Sequence, residues 1–188
     1  MESLFSNLLS SLGLSGAAGL NAYIPLLTLG VLDRLGWTNL APQYDWISSP
    51  WTLLIVGAIA VLDFIGDKVP GVDHVLHTVG GWINPLAGAV VFAANSGVFH
   101  DVNPTLALVA GALVGGAFHA SRAAVRPVAT ATTGGIGNPV LSLLEDVSSG
   151  VLTFLAIFAP IVAVLLLVLI ALVIFSAWRR WRGRRWAL

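Results

Sequence analysis

The chain alternates between apolar segments and short polar stretches. Its longest apolar segment covers residues 151–177 without a charged side chain, and Pro160 is the position where a helix there could bend. A membrane-crossing helix needs about 20 apolar residues, so this segment predicts one tilted crossing. Shorter apolar segments precede it at 12–32, 51–66, 86–99, 104–120 and 139–150. We therefore expect an all-α integral membrane protein, folded as one domain (1–188), with about five to six transmembrane or re-entrant helices.

Composition favours a membrane protein over a soluble one. Hydrophobic residues make up 57% of the 188 positions and charged residues 10%, whereas a soluble domain is about 25% charged. The polar stretch 35–50 carries Trp37, Tyr44 and Trp46, aromatic residues that favour the membrane interface, so we expect an interfacial loop there. The first residues lack the basic region of a cleaved signal peptide, and the N-terminus is expected to be retained.

The basic tail, residues 178–188, begins with the sequence WRRWRGRRW and contains five of the nine Lys and Arg residues. Positive charge next to a membrane span marks the cytoplasmic side, and tryptophan favours the interface. The C-terminus is therefore expected to be cytoplasmic. Its position beside the membrane makes lipid headgroups the expected partner, and no nucleic-acid partner is expected.

An internal repeat appears when the chain is shifted by 54 positions. The shift aligns Lys68 with Arg122 and aligns TVGGWINP (78–85) with TTGGIGNP (132–139), which share five of eight residues and are called the TxGGxxNP motifs. We interpret this as a duplication with units at approximately 50–99 and 104–150. Shared composition alone could explain the glycine and alanine matches that precede the motifs. Whether the units are parallel or inverted stays open.

Each TxGGxxNP motif predicts a break in a helix. Glycine lowers helix propensity, and proline removes a hydrogen-bond donor and disfavours helical backbone in the residue before it. At membrane depth such backbone is tolerated only inside protein or beside a wet cavity, so we expect the two motifs to form one buried site. The amides of Asn84 and Asn138 would face a ligand there, and the helix N-termini that follow would favour an anion. Tight helix packing through small residues is the alternative.

Ionisable side chains flank both motifs. Asp63 and Asp67 are four residues apart and share a helical face at the end of an apolar segment. Charges at membrane depth usually pair with each other or face a cavity, so Arg122 and Arg126 are expected to pair with Glu145, Asp146 or Asp67 and tie the two halves together. An unpaired arginine that binds an anion is the alternative. Either aspartate could also simply neutralise Lys68 or Arg122.

A further group, Asp73, His74 and His77, has spacings that place side chains together on a helix. The chain has no cysteine and no recognised metal-ligand spacing such as HExxH, so these three residues are weak candidates for a divalent metal, and no other cofactor is expected. Aspartate and histidine groups of this kind could instead carry protons during transport. No residue is assigned a catalytic role.

The motifs GLNAYIPLL, DKVPGVDHVLH and TTGGIGNPVLSLLED resemble those of a family of small bacterial multi-pass membrane proteins grouped as a domain of unknown function. The resemblance covers nearly the whole chain and implies a bacterial cytoplasmic (inner) membrane protein, without supplying an activity. It adds Asn21, Tyr23 and Pro25, which interrupt the first apolar segment, to the candidate site, although Tyr23 could equally be an interfacial aromatic residue. The candidate ligand-binding or transport residues are then Asn21, Tyr23, Asp63, Asp67, Lys68, Asp73, His77, Thr78, Asn84, Arg122, Arg126, Thr132, Thr133, Gly134, Asn138, Glu145 and Asp146.

Three functions are compatible with this pattern. The leading hypothesis is a transporter or permease for a small polar or anionic solute, coupled to protons or cations, because repeated broken helices and embedded charges are typical of transporters. An intramembrane enzyme acting on a lipid or lipid phosphate is the second, and a non-catalytic assembly or lipid-binding protein is the third. A homo-oligomer, most simply a homodimer, is expected because one chain of this length has few helices to enclose a solute path.

Overall fold

The computed structural model describes residues 2–67, 72–95 and 103–185. These ranges contain seven α-helices, a short 3-10 helix and no β-strand, which confirms the all-α prediction for the described residues. The helices are α1 (Glu2–Leu20), α2 (Tyr23–Arg34), α3 (Pro50–Gly66), α4 (Val72–Ala94), α5 (Pro104–Thr133), α6 (Asn138–Phe158) and α7 (Pro160–Arg185), and the 3-10 helix is Pro42–Ser48, between α2 and α3.

Two described helices, α5 and α6, are long and apolar enough to cross a membrane. The 3-10 helix and α3 pass the same test together, with a bend of 57° between them, and would make a third crossing. Three shorter apolar helices cover Leu4–Leu20, Thr78–Ala94 and Pro160–Val173. These segments support a membrane protein with two to three helices of spanning length. The larger number of crossings expected from the sequence stays a prediction.

The central helix is α1, which packs against α4, α5, α6 and α7. Its buried positions include Ser11, Leu14, Ser15 and Ala17, most of which are small and let the neighbouring helices approach closely. The buried Ser15 hydroxyl donates a hydrogen bond to the carbonyl oxygen of Gly88 in α4, at 2.9 Å. The serine side chain is thus satisfied at the point where two helix backbones approach.

The contact between α4 and α5, the most extensive in the described chain, depends on glycines. A Cβ atom added to Gly88 would lie 2.8 Å from the carbonyl oxygen of Gly111, and one added to Gly111 would overlap the carbonyl oxygen of Gly88. Gly115, one turn further along α5, would bring a Cβ atom within 3.1 Å of the Asn84 carbonyl oxygen. Small residues four apart on α5 therefore let the two backbones touch.

Replacing Gly111 by alanine is expected to destabilise the protein by about 1–3 kcal/mol, because the added methyl group would meet backbone that cannot move aside easily. The neighbouring atoms include Phe92 Cβ at 2.6 Å and Ala89 Cα at 2.9 Å. Gly57→Ala is the matched control, since a Cβ atom there meets nothing within 4 Å. Thermal unfolding in detergent, followed by circular dichroism, should separate the two variants. Equal midpoints would contradict the contact.

The long apolar segment 151–177 is not one helix, and the sequence prediction of a single crossing is wrong. The helix α6 ends at Phe158 and α7 begins at Pro160, while Ala159 between them is non-helical, with φ −146° and ψ 64°. Proline has no N–H group and disfavours helical backbone in the residue before it. The predicted bend at Pro160 is therefore a complete break, and α6 and α7 pack against each other as separate helices.

The first apolar segment, 12–32, is divided in a similar way. The helix α1 ends before Asn21 and α2 starts just after it. Leu14 of α1 and Leu29 of α2 nevertheless line the same cavity, so α2 returns along α1 as the second arm of a hairpin. The reversal places Asn21 at the tip of that hairpin, against α5 and α6.

The predicted interfacial loop at 35–50 folds back onto the end of α4. The Ala41 N–H group donates to the carbonyl oxygen of Ala94 at 2.9 Å. Ile47 is buried, whereas Trp46 is exposed and remains available to an interface. The loop is therefore anchored at the end of the protein opposite the Asn21 hairpin tip.

Candidate functional site

Asn21 joins the hairpin tip to α6. Its side-chain oxygen accepts hydrogen bonds from the N–H groups of Tyr23 at 2.9 Å and Ile24 at 3.3 Å, in the first turn of α2. These bonds satisfy donors that a helix start leaves without partners. The Asn21 side-chain nitrogen donates to Asp146 Oδ1 at 2.7 Å. Asn21 thus caps the start of α2 and also fixes the position of the Asp146 carboxylate.

Two arginines of α5 converge on one carboxylate of α6. Glu145 Oε2 lies 2.8 Å from Arg126 Nη2 and 2.8 Å from Arg122 Nε, the latter without the alignment of a hydrogen bond. Arg126 Nη2 also donates to Ser142 Oγ at 2.8 Å and lies 3.9 Å from Asp67 Oδ2. These contacts confirm the predicted pairing of the arginines with Glu145 and Asp67. Asp146, the third expected partner, pairs with Asn21 instead.

The side chains that meet here are called the carboxylate–arginine cluster. Arg122 additionally donates to the carbonyl oxygen of Leu20, the last residue of α1, so the cluster also holds the end of the central helix. Because α3, α5 and α6 each contribute charged groups, the cluster ties together the two halves of the chain, as the sequence predicted. Its members are Asp63, Asp67, Arg122, Arg126, Glu145 and Asp146, the last of which is joined to the others through Asn21.

A cavity of about 30 Å³ opens beside the cluster. Asp63, Asp67 and Arg122 line it together with Asn21 and Tyr23. The volume corresponds to about one water molecule, so the cavity admits a water or a single small ion but no larger solute. The sequence prediction that Asp63 and Asp67 share a helical face is confirmed, since both face this cavity.

Two carboxylates of the cluster retain hydrogen-bonding capacity. Within the described part of the chain, Asp63 makes no hydrogen bond or ion pair. Asp146 Oδ2 is buried and has no hydrogen-bond partner among the described residues, although Oδ1 is bonded to Asn21. Buried polar atoms are normally satisfied, so Asp146 Oδ2 is an exception within the described part of the chain.

Asn84, from the first TxGGxxNP motif, lies on the other side of the small cavity. Its buried amide nitrogen is 3.1 Å from the carbonyl oxygen of Gly19 and 3.2 Å from Nδ1 of His119. Asn84 therefore connects α4 to α1 and α5. His119 was not among the residues predicted for the site, although its spacing to Arg122 and Arg126 placed all three on one face of α5.

The prediction of a helix break is wrong for the first motif. Residues 78–85 lie inside α4, which is continuous from Val72 to Ala94 with Pro85 in its interior. Gly80 and Gly81 pack beside the His119 ring, and Pro85 packs on Gly116, so contacts with α5 hold the helix together. Tertiary packing here outweighs the low helix propensity of glycine and proline.

The second motif does interrupt the helix, but it lies at an exposed turn and not in a buried site. The helix α5 ends at Thr133, Gly134 and Gly135 adopt positive φ angles of 62° and 90°, and α6 begins at Asn138. Thr132 and Ile136 are exposed, the latter with 84% of its surface accessible. The two motifs therefore do not form one buried site, and this expectation is wrong.

The remaining polar groups of the second motif serve the turn itself. The Thr132 and Thr133 hydroxyls donate to backbone carbonyls of α5, Thr133 Oγ1 also accepts from the Gly137 N–H group, and Asn138 Oδ1 accepts from Thr130 Oγ1 at 3.1 Å. Thr78, in the first motif, is exposed on α4. None of these hydroxyls lies among the residues that line the small cavity.

Asn84 is buried and Asn138 is partly exposed, so we expect their substitution to change stability by different amounts. Asn84→Ala should lower the free energy of unfolding by about 1–3 kcal/mol, because it leaves the Gly19 carbonyl without a buried donor. Asn138→Ala is the matched control at the corresponding repeat position, and it should change stability less because its site is partly exposed. Chemical unfolding of both variants in the same detergent measures the difference. A larger effect at Asn138 would contradict this assignment.

Some residues predicted for the site lie outside the part of the chain that the structure describes. Lys68 lies outside the described residues, and so do the side chains of Asp73, His74 and His77, whose backbone belongs to α4. In the part of the chain that is described, no group of three or more His, Cys, Asp or Glu side chains is arranged to hold a metal ion. The weak metal candidates therefore stay a prediction.

Comparison with known proteins identifies the family. A family profile described as a domain of unknown function (DUF4126) matches residues 8–180. The chain belongs to this family. The match confirms the resemblance to an unknown-function family that the sequence motifs indicated. No curated protein and no solved structure matches the chain, so the family membership comes without a named activity.

Proposed function

We propose that this protein is a membrane permease for a small polar solute, with transport coupled to protons or to a small monovalent cation at the carboxylate–arginine cluster. The observation that carries the proposal is the excess of carboxylates around a cavity of about one water. Transporters place such embedded charges at broken or interrupted helices, and Asn21 marks an interruption of this kind beside the cluster.

The charge balance of the cluster favours a cation over an anion. Four carboxylates accompany two guanidinium groups, and both arginines are engaged by Glu145. An arginine that is already paired offers little attraction to an anionic solute. Asp63, in contrast, faces the small cavity without an ion pair among the described residues. A lone carboxylate at membrane depth is costly, and a bound proton or cation removes that cost.

The small volume of the cavity suits a coupling ion better than a transported solute. About 30 Å³ is too small for a metabolite but sufficient for a water molecule or an ion. The cluster is therefore proposed as the coupling site, and the polar solute would bind elsewhere in the protein. Of the polar and anionic solutes expected from the sequence, the proposal takes the polar class, because both cluster arginines contact Glu145.

The depth of the cluster along α7 agrees with this role. Leu20, whose carbonyl oxygen accepts from Arg122, belongs to the same apolar cluster as Ile170 of α7. From Ile170 to Arg179, at the basic end of α7, a helix rises about 14 Å. If the basic end marks the membrane surface, the adjoining end of the carboxylate–arginine cluster lies near the middle of a hydrocarbon core about 30 Å thick.

Flux measurements in liposomes test the proposal. The purified full chain should be reconstituted with a pH-sensitive dye inside, and an imposed solute gradient should change the internal pH when a transported solute is present. A panel of neutral polar solutes, amino acids and monovalent cations defines the substrate. Protein-free liposomes control for leak. Neither solute flux nor proton or cation flux above that leak, with protein of native helix content, would contradict the proposal.

A further inference from the structure

A second cavity, of about 260 Å³, lies at the opposite end of α1 from the carboxylate–arginine cluster. We propose that it is a binding site for a small uncharged solute rich in hydroxyl or amide groups, such as a polyol or a urea-like amide. Binding at this site can be measured whether or not transport is coupled to an ion, so the inference goes beyond the proposed function. The polar residues that line the cavity are Ser6, Asn7, Ser10, Thr38, Asn39 and Asn95.

The lining of this cavity excludes charged ligands. Apart from the indole N–H group of Trp37, its polar side chains are hydroxyls or amides, and no charged side chain is among the described lining residues. Among those residues a cation would find no carboxylate, and an anion would find no lysine or arginine. Leu14 and Leu29 add apolar surface, which suits the CH groups of a polyol. Apolar walls with a few convergent polar groups are typical of small-molecule sites.

Two hydroxyls of α1 are available to an occupant. Ser6 and Ser10 line the cavity, are partly accessible, and make no side-chain hydrogen bond within the described part of the chain. Asn95, by comparison, is engaged, because its amide nitrogen donates to the Asn7 carbonyl oxygen at 3.2 Å. A hydroxyl group both donates and accepts hydrogen bonds, so Ser6 and Ser10 are the groups expected to bond to a neutral solute.

The size of the cavity limits the solute. A volume of 260 Å³ equals the share of about nine water molecules in the liquid. Compounds from three carbons, such as glycerol, to six carbons, such as mannitol, fall within this range. The volume lies just below the usual range of drug-sized pockets, so a large ligand is excluded.

One face of α6 connects this cavity to the carboxylate–arginine cluster. Asp146 belongs to the cluster and Ile157 lines the large cavity, while Ser149 and Thr153 lie between them at helical spacing. Both hydroxyl residues are buried; Ser149 Oγ donates to the Ala17 carbonyl oxygen at 2.9 Å, and Thr153 Oγ1 has no partner in the described chain. This face therefore packs against α1 between the two sites, and Ala156, one turn beyond Thr153, lies against Gly13.

Equilibrium dialysis of the purified full chain in detergent tests the binding site. Radiolabelled glycerol, mannitol and urea are the neutral probes, and acetate and methylammonium are the charged ones. At least one neutral probe is expected to bind saturably, at one molecule per chain, while the charged probes do not. The inference is overturned if no neutral probe binds saturably or if a charged probe binds as well as the neutral ones.

Variants locate the binding in the cavity. Ser10→Ala should weaken binding of the neutral probe about tenfold, as expected for one lost hydrogen bond. Ser176→Ala is the matched control, because Ser176 is exposed on α7 and does not line the cavity. Ser6→Ala provides a second test if Ser10→Ala fails to fold. Equal affinities for the control and both cavity variants would overturn the assignment.

The binding result and the flux result distinguish the two proposals. Dialysis needs no gradient and no coupling ion, so neutral-probe binding without any proton or cation flux would support this site and contradict the proposed coupling. Flux without neutral-probe binding would support the coupling site and overturn the cavity as a solute site.

Discussion

Replacing Arg126 by methionine is expected to lower the free energy of unfolding by about 3–5 kcal/mol, which is a large part of the stability of a small domain. Arg126 is buried, with only 6% of its side chain accessible, and it contacts Glu145 and Ser142 directly. Methionine keeps much of the side-chain volume but removes the charge, so Asp67 loses the guanidinium at 3.9 Å and Glu145 keeps only Arg122. Chemical unfolding in detergent, followed by helix content, measures the loss.

One control for this prediction removes a charge outside the cluster, and a second comparison removes the Glu145 partner inside it. Arg179→Met removes an exposed arginine near the end of α7 and should leave stability within about 0.5 kcal/mol. The double variant Arg126→Met with Glu145→Gln should lose less than the sum of the single losses, because both groups belong to one network. Additive losses would show that Arg126 and Glu145 stabilise the protein independently, and a negligible effect of Arg126→Met would show that its ion pairs contribute little to folding.

Helical spacing was sufficient to predict that the two arginines pair with acidic side chains, but not which of Glu145, Asp146 and Asp67 they contact. Arg122 and Arg126 lie one turn apart, and a chain that is only 10% charged offers few acidic partners. Pairing with Glu145 followed because an unpaired charge at membrane depth costs so much. The spacing of Asp63 and Asp67 predicted their shared cavity for a related reason, since residues four apart always share one helical face.

The different structures of the two TxGGxxNP motifs could not be predicted from their sequence. Their local composition is nearly the same, yet Gly80 packs beside the His119 ring in a continuous helix, while Gly134 has open space around its missing Cβ position and takes a positive φ angle. The contact that distinguishes the first motif comes from His119, which lies 39 residues after Gly80 in the chain. Local propensity carries no information about such a neighbour.

The hairpin at Asn21 also depends on a contact between residues that are far apart in the sequence. Its hydrogen bond to Asp146 spans 125 positions of the chain, so sequence could nominate both residues without predicting that they meet. Asn21 was predicted for the site from the family resemblance, and Asp146 was predicted because a charge at membrane depth needs a partner. The large cavity was missed altogether, because its serine, threonine and asparagine side chains come from three separate segments with no charge or recognisable spacing to mark them.

The acidic groups of the cluster differ in what they can contribute to the proposed transport. Glu145 and Asp67 are held by arginine, so their substitution would alter folding and function together. Asp63 is half-buried, lines the small cavity and makes no ion pair in the described part of the chain. Its carboxylate is therefore the group best placed to take up and release a proton or a cation without breaking a structural contact.

Asp63→Asn is accordingly expected to abolish the coupling of transport to the pH or cation gradient, lowering coupled flux by about tenfold or more, while leaving stability close to that of the unmodified chain. Asparagine has almost the same shape as aspartate but cannot exchange a proton or carry a negative charge. Coupled flux into liposomes with a pH-sensitive dye inside gives the readout, and unfolding in detergent checks the fold.

Asp45→Asn is the matched control, because Asp45 is exposed in the 3-10 helix and lies outside both cavities. It removes the same charge from the chain and should leave coupled flux unchanged. Asp63→Glu adds a second comparison, since it keeps the charge and should retain part of the coupling. Full coupling in the Asp63→Asn variant would move the coupling role to another carboxylate of the cluster, with Asp146 as the next candidate because its second oxygen has no partner among the described residues.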